Sequence, residues 1–341
     1  MNEIDGILEI DISKVTFDVA LLTGEKRRKS KKFSNTLEGF EKLVEWLNRQ
    51  DVERVHACME TTNTYGHALA VYLHQKGHVV SIVNPSQIKG YGQSQLRRTK
   101  NDRADATLIA NFCKSHNPKP WKPPEKEVAE LQALTRRLDA LDHMITQEKN
   151  RLETAPQILH GDIEAHIEFL KGQLKALKRS IQAHLEKHVK FHKQQKLLTK
   201  IVGIGESTAA RILAEIGAIE NFNSARQLAA FTGVTPQEEQ SGESIQRKAR
   251  LCKIGNFRLR KALYFPALNA IKRCPQIQIF RERLLAKGKK KMEVVRAVMH
   301  KLIRVIYGVL KSGQPFDPEK LIPQTLDDAT NDDTSKLALA S

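Results

Sequence analysis

The sequence predicts an α/β unit followed by an all-α region, and three observations support this fold class. Strand-like and helix-like patterns alternate over residues 1–118. A proline-rich segment, HNPKPWKPPEKE at residues 116–127, then interrupts both kinds of element. Beyond it, apolar residues recur at helical spacing as far as residue 316. A sheet-containing unit and a mostly helical region are therefore expected in that order.

The N-terminal unit is expected to hold a mixed sheet flanked by helices, in the order β-β-β-α-β-α-β-α. Its strands are predicted at residues 6–13, 15–22, 31–35, 54–61 and 79–84. The first two strands form a hairpin. Helices are predicted at residues 36–50 and 65–77, and a last helix carries residues 102–105.

Two apolar seams predict a central antiparallel coiled-coil hairpin, because their residues alternate at spacings of three and four. The seam residues are Leu131, Leu134, Leu138, Leu141 and Ile145, then Ile163, Ile167, Leu170, Leu174, Leu177 and Ile181. The segment TAPQILHGD at residues 154–162 breaks the pattern between them. The seams pair with each other or with another subunit, so we expect a homo-oligomer, either a dimer or a tetramer.

The C-terminal region is predicted to be mostly helical and to contain a helix-hairpin-helix element at IVGIGESTAARILAEIG, residues 201–217. Gly203 and Gly205 would let backbone amides face a phosphate, with a helix beginning near Glu206. The alternative is an ordinary glycine-rich turn. The acidic, apolar-poor segment from Asp317 predicts a disordered tail. The predicted domains are residues 1–118, 119–196, 197–316 and 317–341.

The charge of the chain points to a polyanionic partner. The formal net charge is +17, and between residues 235 and 311 Lys and Arg outnumber Asp and Glu by 19 to 5. Such an excess favours nucleic acid ahead of an anionic membrane surface. The expected phosphate contacts are Arg97, Arg98, Lys100, Arg247, Lys248, Arg250, Lys253, Arg258, Arg260, Lys261, Lys289, Lys290 and Lys291.

The histidines and cysteines give no metal-binding motif. The four cysteines are scattered without a CxxC pair, which is typical of a reducing cytosol. No export signal or long apolar run is present, so we expect a soluble cytoplasmic protein without a membrane partner. His184, His188 and His192 recur every four residues, and we interpret them as a coiled-coil surface stripe because the HExxH order is absent.

Four carboxylates predict a metal site in the first domain. Asp11 and Glu60 end predicted strands, whereas Asp102 and Asp105 are three residues apart on one helix face. Either strand carboxylate alone could be a satisfied strand end, and the helix pair could salt-bridge the cations around it. Together the four suit Mg²⁺ (or Mn²⁺), which prefers oxygen ligands. Paired ions of this kind support phosphoryl transfer.

These motifs, in this order, closely resemble the DEDD transposases of bacterial insertion sequences, which are relatives of the Piv DNA invertases and are understood as bridge-RNA-guided recombinases. The resemblance includes KNDRADA around the two helix aspartates, AAFTGVTPQEEQSGES and KIGNFRLRKALYFPA. It covers roughly residues 5–316. This chain departs from many relatives at TTNTY after Glu60 and at Asn101, and neither departure removes a ligand.

The resemblance implies an RNase H-like (RuvC-like) N-terminal domain whose DEDD tetrad binds Mg²⁺. It also implies a C-terminal transposase domain with a serine nucleophile at Ser241, and closure that joins the two sites within one subunit or between subunits. From the residues alone, Ser241 beside Gly242 is more often an ordinary residue of a polar loop, since no triad spacing accompanies it. The implied partners are donor DNA, target DNA and a structured guide RNA, in bacterial cytoplasm and at the nucleoid during action.

The leading hypothesis is therefore an RNA-guided DNA recombinase of an insertion sequence that works through a phosphoserine intermediate. An alternative is a junction-resolvase-like nuclease of RNase H fold, which needs the tetrad and metal-activated water but no serine. A third hypothesis is a non-catalytic, RNA-binding oligomeric scaffold, which would survive the loss of all four carboxylates.

Overall fold

The computed structural model describes the backbone of residues 4–24, 27–60, 65–95, 102–241, 245–252 and 254–318. The side chains of residues 27–28, 102–107, 237–241 and 245–250 lie outside this description. The chain divides into two compact units, Met1–Pro123 and Pro124–Ser341. The predicted four-domain division stays a prediction, and the predicted tail lies outside the described residues from residue 319 onward.

The first unit contains a five-stranded mixed sheet in the order β3-β2-β1-β4-β5. The strands are β1 (Gly6–Ile12), β2 (Thr16–Thr23), β3 (Arg27–Ser34), β4 (Val55–Glu60) and β5 (Val79–Val83). β1, β2 and β3 pair antiparallel, whereas β4 and β5 continue the sheet parallel to β1. The predicted mixed α/β architecture is confirmed. β3 begins at Arg27, before the predicted start at residue 31, because Lys and Arg at its first positions give no apolar pattern. Such cations on an edge strand discourage pairing with other chains.

Helices cover both faces of this sheet. They are α1 (Leu37–Asn48), α2 (His67–Gln75), α3 (Pro85–Ser94) and α4 (Asp102–His116). α1 and α2 bury Leu43 and Leu69 against one face, and α4 buries Ile109 and Phe112 against the other. The sequence prediction lacks α3 because PSQIKGYGQS has two glycines and few apolar residues. The Asn84 side chain caps this helix by accepting the Ser86 amide at 2.9 Å.

The second unit begins with two long helices that pack antiparallel, α5 (Lys126–Thr154) and α6 (His160–Lys187). Leu141 and Ile145 meet Leu170 in one cluster of this hairpin, while Leu131 and Leu185 belong to the main core of the unit. The predicted seam residues are thus buried or partly buried, because a three-four spacing keeps one side of each helix toward its neighbour.

The rest of the unit packs on the base of this hairpin. Its helices are α7 (Val189–Leu198), α8 (Glu206–Ile216), α9 (Ala225–Thr232), α10 (Phe257–Arg273), α11 (Pro275–Ala286) and α12 (Lys291–Ser312). Leu213, Leu263 and Ile303 are buried in the core that also holds Leu131. The described core is therefore continuous across residue 197. Among the described residues, no helix combines the length and apolarity that crossing a membrane requires.

Two local predictions in this unit are wrong. Ser241 does not lie in a loop but ends β6 (Pro236–Ser241), where it pairs with Ile245 of β7 (Ile245–Leu251). The strand PQEEQS has no apolar alternation, so the sequence carries no strand signal there. The three histidines do not share one helix either, because α6 ends at Lys187 and His188 adopts an extended backbone.

Gly203 is required by its backbone and by a close neighbour. Its φ is +91°, and a Cβ there would lie 2.6 Å from the Pro266 carbonyl oxygen. Gly205, the N-cap of α8, has φ −91° and open space around it. α8 begins at Glu206, as the sequence predicts.

Gly203→Ala is expected to lower the free energy of unfolding by about 2–4 kcal/mol, since left-handed strain and overpacking add. Gly205→Ala is the matched control and should cost less than about 1 kcal/mol. Unfolding by urea is followed by far-ultraviolet circular dichroism, because most of the helix lies in the second unit. Tryptophan fluorescence would not report this unit, since Trp46 and Trp121 both lie in the first unit. Equal effects of the two substitutions would contradict this account of Gly203.

Candidate active site and nucleic-acid surface

Asp11 and Glu60 lie at the same edge and on the same face of the sheet. β1 and β4 are parallel and pair from Gly6 with Val55 to Ile10 with Met59, so the next residues on the two strands are Asp11 and Glu60. Asp11 is exposed and Glu60 is half-buried. The structure thus brings together the two strand carboxylates that the sequence singles out.

Asp18 is a third carboxylate at this edge, and sequence reasoning missed it. It stands directly opposite Asp11 across the β1–β2 hairpin, and Lys32 lies 3.2 Å from its carboxylate. Like charges directly opposite each other on a sheet are destabilising. Lys32 offsets part of that repulsion, and a further cation at this edge would relieve more of it. Only the hairpin register reveals Asp18, and the register depends on the turn between the strands.

Asp102 and Asp105 are in the first turn of α4, and their side chains lie outside the described residues. Later turns of α4 pack against β1 and β4, on the sheet face that carries Asp11 and Glu60. The predicted phosphate contacts Arg97, Arg98 and Lys100 lie outside the described residues. So do Lys253 and the side chains of Ser241, Arg247, Lys248 and Arg250.

A buried group of nitrogen and sulfur atoms lies on the same face of the sheet. His56 and Cys58 come from β4 and Cys113 from α4, and one donor atom from each lies within 4.8 Å of the others. A hydrogen bond from the Cys58 thiol lowers the pKa of Cys113, against the effect of burial and with help from His56. The same hydrogen bond, together with burial, raises the pKa of Cys58.

The basic positions of α10 differ in what they contact. Arg260 donates from Nη1 to the Thr232 carbonyl at 3.1 Å and so holds the end of α9. Arg258 lies over the Phe257 ring at 5.2 Å and 4.0 Å from Asp139. Lys261 is exposed. Lys261 is therefore the freest of the three to meet a ligand.

Three exposed lysines, Lys289, Lys290 and Lys291, stand at the start of α12. The Lys290 amide donates to the Glu293 carboxylate at 2.8 Å, which caps the helix. A helix N-terminus carries partial positive charge, so cations there are unfavourable unless an anion binds. This arrangement is suited to phosphate.

A second group of possible metal ligands comprises Glu130, His184 and His188 in the helical unit, within 4.8 Å of one another. His184 donates from Nε2 to the Glu127 carbonyl at 2.9 Å, and its Nδ1 lies 3.7 Å from the Glu130 carboxylate. The His184 side chain is only 10% exposed. The prediction of a surface stripe is therefore wrong for His184, which packs between α5 and α6.

Comparisons with known proteins match both halves of the chain. The IS110 DEDD family model, described as a transposase, matches residues 9–159. A second family model, described as a transposase of the IS116/IS110/IS902 family, matches residues 195–283. Together they span the residues of the sheet edge and most of the helical unit.

Individual relatives extend this similarity. The pilin gene-inverting protein of Moraxella bovis is 32% identical over 311 residues, which cover 90% of this chain and 96% of that protein. The pilin gene-inverting protein of Moraxella lacunata has the same identity and coverage. A probable family 20 transposase of Pseudomonas aeruginosa is 24% identical over 290 residues, covering 74% of this chain and 83% of that protein.

This identity covers nearly the whole length of the chain and of each pilin gene-inverting protein, so it includes both the sheet edge and the helical unit. The chain accordingly belongs to the IS116/IS110/IS902 family of transposases and is an enzyme of DNA transposition or recombination.

Proposed function

We propose that this transposase is an RNA-guided DNA recombinase of an insertion sequence that cuts and rejoins DNA through a phosphoserine intermediate. Asp11, Glu60, Asp102 and Asp105 would hold Mg²⁺ (or Mn²⁺), and Ser241 would be the nucleophile. The observation that supports this most is the meeting of Asp11 and Glu60 at one edge and face of the sheet.

The donor set at this edge fits a hard divalent cation. Carboxylate oxygens are the ligands that Mg²⁺ takes, and the repulsion between Asp11 and Asp18 favours a cation there. The order β3-β2-β1-β4-β5 with its antiparallel first hairpin supports an RNase H-like domain. Bound Mg²⁺ would stabilise the negative charge that develops on the transferred phosphate.

The helix positions support a contribution from α4. Positions 102, 105, 109 and 112 follow spacings of three and four, so they share one side of the helix. Ile109 and Phe112 of that side are buried against the sheet face of Asp11 and Glu60. Asp102 and Asp105 would therefore be on the side of α4 that packs on this sheet face, and would complete the tetrad there.

Ser241 would carry the covalent step. Its Oγ forms a bond to a DNA phosphorus, the P–O bond to the departing strand breaks, and the departing oxygen takes a proton. The reverse attack by a new strand end releases Ser241 and rejoins DNA, so the phosphodiester energy is conserved. Ser241 lies at the end of β6, where its backbone pairs with Ile245 of β7.

The lysines of α12 would contact the nucleic-acid backbone. Replacing Lys289, Lys290 and Lys291 together with Gln should weaken binding to duplex DNA of any sequence. The slope of log Kd against log salt should fall by about 2.7, since each lost phosphate contact removes about 0.9. Fluorescence anisotropy over a salt series measures both quantities.

The matched control is a triple Lys→Gln change at exposed positions of α6, Lys171, Lys175 and Lys178. It removes the same charge from the hairpin. An equal loss of slope in both variants would show that net charge alone governs binding, which contradicts a phosphate site at α12.

A guide RNA would supply sequence specificity, and the net charge of +17 supports binding of long nucleic acids. The backbone amides at the start of α8, beside Gly205, would add phosphate contacts. A homo-oligomer would assemble through other surfaces, because the seams of α5 and α6 pack against each other within the chain.

The proposed function is tested by recombination between a donor and a target plasmid in the presence of the purified chain and Mg²⁺. RNA transcribed from the flank of the element should be required, and exchanging its pairing segments should redirect the target. Recombination that persists after ribonuclease treatment of protein and RNA would refute RNA guidance while leaving the recombinase chemistry standing.

A further inference from the structure

We propose that His56, Cys58 and Cys113 form a buried site for a divalent ion that prefers sulfur and nitrogen, zinc above all, and that this ion ties α4 to the sheet. The three residues are 3%, 0% and 2% exposed. Their donor atoms lie within 4.8 Å of one another and come from two separate elements, β4 and α4. The site is separate from the carboxylate edge and does not depend on the proposed recombination chemistry.

The separations suit tetrahedral coordination. With Zn–S bonds of about 2.3 Å and Zn–N bonds of about 2.0 Å, neighbouring ligand atoms lie about 3.3–3.8 Å apart. Ligand atoms within 4.8 Å reach that spacing through small side-chain rotations. Hydrophobic side chains, among them Ile109 and Phe112, enclose the group, so water does not compete for its ligands.

Glu9 is placed to supply a fourth ligand. It stands beside Cys58 in the parallel β1–β4 register, on the same sheet face, and is 1% exposed. A buried carboxylate beside two sulfur atoms and an imidazole completes a ligand set that zinc accepts.

Ser81 orients the imidazole for this role. The Ser81 hydroxyl donates its single proton to the carbonyls of Pro118 at 2.8 Å and Lys119 at 3.1 Å. Its oxygen, 2.8 Å from His56 Nε2, must therefore accept the Nε2 proton. The lone pair of His56 is then on Nδ1. Histidines that bind metals are held in this way, with the other ring nitrogen donating to a fixed acceptor.

The chemistry separates this site from the carboxylate edge. Sulfur and imidazole ligands select zinc-like ions, whereas the oxygen ligands at Asp11 and Glu60 select magnesium-like ions. Cys113 lies eight residues after Asp105 on α4, which is about 12 Å along the helix axis. An ion at Cys113 would therefore fix the helix that carries Asp102 and Asp105 without touching either aspartate.

The test uses the full-length protein, purified under reducing conditions and freed of metal with a chelator. Titration with Co²⁺ should give the near-ultraviolet charge-transfer band of thiolate-bound cobalt, saturating at one ion per chain and bleached by Zn²⁺. Mg²⁺ should not bleach it. Cys58→Ser and Cys113→Ser should each lose the band. Cys252→Ser, a change at a half-buried thiol in the other unit, should keep it.

Two results would overturn the proposal. One is the absence of the band in the wild-type protein when all four thiols are confirmed as free. The other is a band that survives in both cysteine variants. If the variants fail to fold, as the fluorescence of Trp46 and Trp121 would reveal, the proposal is tested on the wild-type protein. Its thiols are alkylated with and without zinc, and the modified cysteines are identified by mass spectrometry. Zinc should protect Cys58 and Cys113 but not Cys252, and unprotected thiols at 58 and 113 would refute the site.

Discussion

Ser241→Ala is expected to abolish the covalent protein–DNA adduct and to lower strand breakage by roughly 10⁴-fold or more, because removing a nucleophile leaves only binding and electrostatic effects. The substitution removes one oxygen at the end of β6, whose backbone pairing with Ile245 does not use the side chain. DNA binding should therefore be unchanged. Denaturing gels of reactions with labelled DNA measure the adduct, and anisotropy measures binding.

Ser244→Ala is the matched control for this prediction. It removes the same hydroxyl three residues away, in the same segment QSGES, and should leave the adduct intact. Product ends decide between the two enzyme hypotheses. If strand breakage persists in Ser241→Ala, with free DNA ends and no trapped protein, Ser241 is not the nucleophile. That result would favour hydrolysis by metal-activated water.

Apolar periodicity explains why most of the fold could be predicted. The interiors of β1 and β4 and the seams of α5 and α6 are buried because their apolar residues recur at the period of the element. The first residues of β3 and the strand β6 escape this signal. Their sequences, RRKSKK and PQEEQS, carry no apolar alternation, and backbone pairing makes them strands.

The candidate site could likewise be predicted where its residues follow a local pattern, and not where they depend on contacts between distant parts of the chain. Asp11 and Glu60 each follow an apolar run, and a carboxylate in that place marks a strand end. Asp18 depends on the hairpin register instead. Cys113 meets Cys58 only because α4 crosses the sheet there, and no spacing in the sequence encodes that contact. The alternation of His56, Cys58 and Glu60 was the available clue, since such positions share one sheet face.

Asp11→Asn and Glu60→Gln are each expected to lower strand breakage by about 10³-fold or more, because each removes one negative charge from the proposed metal site without changing its shape. Binding of nucleic acid should persist, since the lysines of α12 are untouched. The control is Glu45→Gln on the exposed side of α1, where the carboxylate lies 3.8 Å from Arg49. That change should leave activity and binding as they are.

Metal-dependent stability separates a metal site from a merely structural role of these carboxylates. Mg²⁺ at about 100 times its Kd should stabilise the wild-type first unit by about 2.7 kcal/mol, because it binds the folded state only. Asp11→Asn and Glu60→Gln should lose most of this increment, and Glu45→Gln should retain it. The fluorescence of Trp46 and Trp121 follows unfolding of this unit alone. Equal stabilisation of all four proteins by Mg²⁺ would place the ion elsewhere and remove the tetrad from the mechanism.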